Sequence, residues 1–188
     1  MSASTPDGGS SAPRAGATNH HATAIVLGDR GVLITGASGS GKSALALHLI
    51  AEWRLAGRFA RLVADDQVYM AARADRLVAH APPTIAGLVE ARGHGPAPID
   101  HEPAAVIDLV VDLVAEAEVA RLQAGATCAI AGVEAASLHL SCRNVMAASF
   151  AVNAALGGIP FAPGGGNGTN LLAGDNDLGL STRVGRTT

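Results

Sequence analysis

Lys42 is the only lysine of the chain, against twelve arginines, and it stands in Gly36-Ala37-Ser38-Gly39-Ser40-Gly41-Lys42-Ser43. In a chain that otherwise uses arginine, a lysine at this position points to chemistry that arginine does poorly. A compact ammonium threads between glycine backbone N–H groups and reaches the β- and γ-phosphate oxygens of a nucleotide, where a planar guanidinium fits badly. The G-x-x-x-x-G-K-S spacing lets the glycines turn those N–H groups inward, and a helix starting there adds positive potential. Ser43 is placed to offer its hydroxyl to Mg²⁺.

Asp65 and Asp66 close the apolar run Arg61-Leu62-Val63-Ala64. A carboxylate at the end of a strand beside a phosphate loop can hold Mg²⁺ or activate a nucleophile; an aspartate pair can equally start a turn. Asp108 and Asp112 compete for the same role, although alternation along their strand explains both as its polar face. Glu90 and Arg92 bracket the entry to Arg92-Gly93-His94-Gly95-Pro96 and read equally as a solvated helix end. His21 beside His20, and Arg121 and Arg143, are open between site groups and ordinary surface residues.

The elements that must position these groups are legible in part. Residues 23–27 and 31–35 flank Gly28-Asp29-Arg30, a hairpin signal, and the second run feeds the glycine loop. Residues 43–53 consist largely of good helix formers, with an end expected near Gly57. Residues 61–64 read as a strand, and 68–72 with 77–81 as a second hairpin. Thr84 is placed to cap a short helix through Glu90. Residues 104–113 form a strand with Ile107, Leu109, Val111 and Leu113 on one side, and Asp108, Val110 and Asp112 on the other. Short strands over 128–131 and 137–140 and a helix over 144–156 complete a mixed α/β arrangement around a P-loop.

The ends differ from the middle. Residues 1–19 are mostly Ser, Ala, Gly, Thr and Pro, and 157–188 hold 9 of the 23 glycines, so both read as flexible, with a folded unit over 20–156. A net charge of −3 gives no support to nucleic-acid or anionic-membrane binding. Cys128 and Cys142 form neither a disulfide framework nor a metal spacing, and no signal pattern or long apolar run appears, so a cytoplasmic location is expected.

Taken together, the ordered set His21, Gly36-x-Ser38-Gly39-x-Gly41-Lys42-Ser43, Leu62-Val63-Ala64-Asp65-Asp66 and Glu90-x-Arg92-Gly93-x-Gly95 closely resembles the catalytic domain of HPr kinase/phosphorylase. The resemblance covers about residues 20–156, and implies a P-loop kinase domain with mixed sheet and hairpins, HPr kinase/phosphoenolpyruvate carboxykinase-like in fold. It looks like the short form, with no regulatory domain ahead of it. It implies that residues 36–43 bind ATP phosphates, with Lys42 on the transferred group and Ser43 and Glu90 on Mg²⁺. Asp66 would be the base that takes a serine proton from an HPr-like phosphocarrier, and would return it when inorganic phosphate attacks the phosphoserine. His21 would lie beside the transferred phosphate, Asp65 would support Asp66, and Arg92 and Gly93 would belong to the catalytic loop. Arg121 falls where the family has a catalytic arginine. Family members assemble as hexamers, so a homo-hexamer is implied as well.

Three positions depart from the family. Ala37 stands where Asp is frequent, Pro96-Ala97-Pro98-Ile99-Asp100 replaces an apolar stretch, and Ser141-Cys142-Arg143-Asn144 is a reduced form of R-P-G-R-N. The last departure touches the segment tied to dephosphorylation, which favours the kinase direction. A P-loop small-molecule kinase and a non-catalytic nucleotide-binding module remain as alternatives; the first would need a further substrate-binding block, and the second leaves Lys42, Ser43, Asp66 and Glu90 without a task.

Overall fold

In the computed structural model, residues 16–123, 125–158 and 160 of the chain are described. Two short runs open it, Thr18–His20 (β1) and Thr23–Leu27 (β2). β1 includes Thr18 and Asn19, which lie within the arm expected to be flexible. Three polar residues hold a strand here because their backbones pair with a neighbour further along, an effect that apolar periodicity does not register. β2 turns through Gly28, at φ 64, and Asp29 into Arg30–Gly36 (β3). Lys42–Leu55 forms helix α1, whose Leu45, Leu49 and Trp53, with Ala46 and Ile50, make one buried stripe at helical spacing.

Ala60–Ala64 (β4) is followed by Val68–Arg73 (β5) and Arg76–His80 (β6), joined by a two-residue turn with Ala74 and Asp75 both at positive φ. The helix expected from Thr84 to Glu90 does not form. Turns fill residues 83–87, and Leu88–Ala91 (β7) pairs with Gly95–Pro98 (β8) as a separate hairpin. Gly87 at φ 71 is the reason: that backbone breaks a helix, and an added Cβ would lie 2.5 Å from the His101 ring.

Ala104–Val114 (β9) is the long central strand, followed after a short 3₁₀ turn by Thr127–Ile130 (β10), Val133–Ser141 (β11) and helix Val145–Leu156 (α2). One mixed sheet runs β1-β5-β6-β9-β3-β2-β4, with β11 on the C-terminal half of β9 and β10 on β11. β3, β9 and β11 are mutually parallel, which brings Thr35, Asp112 and His139 into one row.

Two apolar layers hold this together. Val32, Ile34, Leu109, Val111 and Leu113 pack under α1 and α2 on one face. Leu33, Val63, Ile107 and Val110 pack on the other against Val68, Met70, Leu77 and Ala79 of the curling β5–β6 hairpin. The expected polar face of β9 is therefore half right. Val110 is buried, and Ile107 joins it because the register shifts between Gly31 and Val32. One extra residue, Asp108, puts Ile107 and Leu109 on opposite faces.

Candidate active site

β3 ends at Gly36, and α1 begins at Lys42; the loop between them is the glycine cradle. Gly36 has φ 131, and a Cβ there would lie 2.7 Å from the Leu113 carbonyl oxygen and 2.9 Å from Ser40 Oγ, so no other residue fits. Ala37, Ser38 and Gly39 are exposed at the rim, and Ser40 is buried beneath them. Gly41, at φ 106, precedes α1 without a side-chain cap, and the first turn of α1 contains no acidic residue. The free N–H groups of that turn are thus available to an anion.

The Lys42 ammonium folds back over this loop. Its Nζ lies 3.0 Å from the Gly36 carbonyl, 3.1 Å from the Ala37 carbonyl and 3.0 Å from His21 Nε2. Because an ammonium only donates, His21 Nε2 accepts and the ring proton sits on Nδ1. That Nδ1–H faces Asp66 Oδ1 at 2.9 Å and the Asp66 carbonyl at 3.2 Å. Burial pushes the Lys42 ammonium below its usual range, and the Asp66 and Asp65 carboxylates partly offset this. Lys42, His21 and Asp66 form one connected line.

The two aspartates do different things. Asp65 is 4% exposed, and its Oδ1 accepts from Ser43 Oγ at 2.8 Å and Thr23 Oγ1 at 2.7 Å. Its Oδ2 accepts from the Glu90 N–H at 3.2 Å. Asp66 faces outward, its side chain 65% exposed, on a γ-turn closed by the Gln67 N–H to the Asp65 carbonyl with Asp66 at φ 68. A carboxylate bonded to the P-loop serine is the arrangement with which P-loop enzymes hold Mg²⁺, and here Asp65 supplies it. Neither competitor reaches Ser43. Asp108 accepts from the Gly31 N–H at the far end of β3, and Asp112 accepts from Thr35 Oγ1 at 2.9 Å.

The remaining expected residues are placed less evenly. Arg143, at φ 60, sits on the cradle: its N–H donates to the Ser40 carbonyl at 2.8 Å, and its Nε to the Gly39 carbonyl at 3.3 Å. Glu90 reaches the cluster through its backbone, and its side chain is exposed. Arg92 and Gly93 occupy the exposed turn of the β7–β8 hairpin. Arg121 is exposed between β9 and β10, and no hydrogen bond among the described residues ties it to the cluster. Its segment is anchored nearby, since the Gln123 amide accepts from the His139 N–H and donates to its carbonyl, both at 2.6 Å. Sequence reasoning missed Thr23; the available signal was a hydroxyl within an otherwise apolar strand, two residues after His21.

The donor set suits Mg²⁺: a serine hydroxyl and carboxylates are hard oxygen groups, and Mg²⁺ takes few protein ligands beside water and phosphate. Ser43 and Asp65 are the residues of the cluster that would hold it, and the Glu90 carboxylate would have to turn in from solvent to join them. No group of three or more His, Cys, Asp or Glu side chains gathers among the described residues, so an all-protein cage is not built there.

Comparison with known proteins gives a consistent picture. The profile of the HPr Serine kinase C-terminal domain matches residues 14–156. Over 76 residues the chain is 43% identical to the HPr kinase/phosphorylase of Shouchella clausii (strain KSM-K16), covering 40% of this chain and 23% of that relative. Over 79 residues it is 46% identical to the HPr kinase/phosphorylase of Bordetella petrii, covering 42% of this chain and 23% of the relative. The matched stretch is thus under a quarter of the length of these relatives. Among solved structures, the Hpr(Ser) kinase/phosphatase from Coxiella burnetii aligns with a TM-score of 0.61 at 24% identity, covering 72% of this chain and 88% of that one. That likeness is one of fold.

Proposed function

The chain belongs to the family of HPr serine kinase C-terminal domains, and on that premise we propose that it is an ATP-dependent kinase acting on a serine of an HPr-like phosphocarrier protein. The observation that carries this is the division of labour between the aspartates. A buried Asp65 holds the Ser43 hydroxyl, while an exposed Asp66 is free to meet a protein substrate and is joined through His21 to Lys42. The nucleotide phosphates occupy the cradle from Gly36 to Ser43. Ser43 and Asp65, joined by the Glu90 carboxylate once it turns inward, would hold Mg²⁺, which would supply charge neutralisation on the phosphate oxygens.

Lys42 exchanges its loop carbonyls for phosphate oxygens, and Asp66 accepts the serine proton as the hydroxyl oxygen attacks. His21 keeps the Asp66 carboxylate turned toward the ammonium. Run backwards, Asp66 returns the proton to the serine oxygen while inorganic phosphate takes the phosphoryl group and leaves as pyrophosphate. Arg143 serves as a second cation at the cradle lip. Arg121, with Arg92 and Gly93, completes the site from the flanking segments once the partner is seated. Such a protein would work in the cytoplasm without nucleic acid or membrane. Among the described residues, no helix is long and apolar enough to cross a membrane. Assembly into a homo-hexamer belongs to the same reading.

Incubation with γ-labelled ATP, Mg²⁺ and a purified HPr-type protein tests this. Label should enter HPr and be absent from HPr whose target serine is alanine. Asp66→Asn should keep nucleotide binding and lose transfer by at least about 100-fold. Transfer that survives this substitution unchanged removes Asp66 from the mechanism, and label that never enters the serine removes the proposed substrate.

A further inference from the structure

We propose that Thr23 is a positioning residue that sets how strongly Mg²⁺ tightens nucleotide binding, by fixing the Asp65 carboxylate against Ser43. This rests on the reading of the cradle as a Mg²⁺–nucleotide site. Thr23 is fully buried between Ala22 and Ala24, themselves fully buried. Valine would fill the same volume there, so the hydroxyl needs a reason, because a buried hydroxyl is costly unless it is hydrogen-bonded. Its single proton goes to Asp65 Oδ1 at 2.7 Å.

The lone pairs show what that bond does. A carboxylate oxygen accepts from two directions, and Oδ1 receives Thr23 and Ser43 while Oδ2 receives the Glu90 N–H. The terminal torsion of an aspartate is broad and roughly two-fold, so the carboxylate would otherwise turn and exchange its oxygens. Three donors from β2, α1 and β7 forbid that turn. Ser43 opens a helix, and Glu90 lies in a two-stranded hairpin; Thr23 sits inside the main sheet and is stiff at χ1. It is therefore the fixed point of the three. With Oδ1 held, the Ser43 O–H keeps donating to Asp65, and the oxygen lone pairs of Ser43 remain free for a cation.

The test is Mg²⁺ titration of the binding of a fluorescent, non-hydrolysable ATP analogue to the full chain, with metal-free affinity as the internal reference. Removing a residue that orients a metal ligand typically costs 10- to 100-fold in metal affinity. In Thr23→Val the Mg²⁺ concentration for half-maximal tightening should rise by roughly 10-fold, and Thr23→Ser should restore it. If the valine variant does not fold, Thr23→Ala against Thr23→Ser asks the same question of the hydroxyl alone. Equal Mg²⁺ dependence in the wild type and the folded valine or alanine variant overturns the proposal. So does an equal shift in alanine and serine variants, which would leave only packing, or a wild type whose nucleotide affinity ignores Mg²⁺. Because binding is read, the outcome is separable from the kinase assay. A protein that shows the Thr23 effect and phosphorylates no HPr serine defeats the substrate and keeps this role.

Discussion

Asp65 and Asp66 are neighbours in sequence, and a strained turn separates their surroundings. An ordinary strand end would send the two side chains to opposite faces of the sheet. The γ-turn, with Asp66 at φ 68, instead drives Asp65 inward onto two hydroxyls and swings Asp66 out to His21. Non-glycine residues at such angles cost of order 1–3 kcal/mol and persist where surrounding bonds over-determine them. Ser40 is a second local cost. Its buried Oγ has no hydrogen-bond partner among the described residues. An orphaned buried hydroxyl is destabilising, so Ser40→Ala should raise unfolding stability by about 1 kcal/mol, measured by urea denaturation. A drop in stability would mean that the hydroxyl is satisfied after all.

At the level of elements, two glycines of the β7 region make a controlled comparison. Both have positive φ, Gly87 at 71 and Gly93 at 86; a Cβ at Gly87 would strike His101, whereas nothing lies within 4 Å of one at Gly93. Asparagine tolerates the backbone angle, so Gly93→Asn should be nearly neutral. Gly87→Asn should cost roughly 2 kcal/mol, adding the displacement of His101 to the backbone term. Equal losses at the two sites would show that φ alone decides. Gly87 also marks where sequence reasoning failed. Thr84 looked like a helix cap because capping signals are local, while the collision that demands glycine comes from His101, fourteen residues away. The P-loop, both early hairpins and the two helices were legible because their glycine spacing, turn residues and periodicity are carried within each segment. Of the site, the residue types were readable in His21, Lys42, Ser43 and the aspartate pair, and the family resemblance set Asp66 apart from Asp65, but the geometry that holds Asp65 against Ser43 was not readable. It depends on a backbone angle and on Thr23, a bond across the sheet spanning 42 residues. The second apolar face of β9 was hidden for a related reason, since a single extra residue reverses which side chains face inward.

At the scale of the whole molecule, the helical side is not fully covered. Leu55 is 90% exposed, and Met146 and Phe150 of α2 are also exposed, over the same layer that buries Trp53 and Val152. If copies of the chain associate through this side, Leu55→Asp combined with Phe150→Asp should lower the mass seen by sedimentation velocity and leave the monomer fold intact by circular dichroism. An unchanged mass would place any assembly contact elsewhere. Lys42 bears on the resting molecule in a different way. Its three N–H donors already have three partners, two loop carbonyls and an imidazole nitrogen. A visiting chloride, a single acceptor, would have to win the ammonium from contacts that already satisfy it. An anion that presents several oxygens together can replace those contacts with fewer donors left unpaired on the way than a single acceptor can.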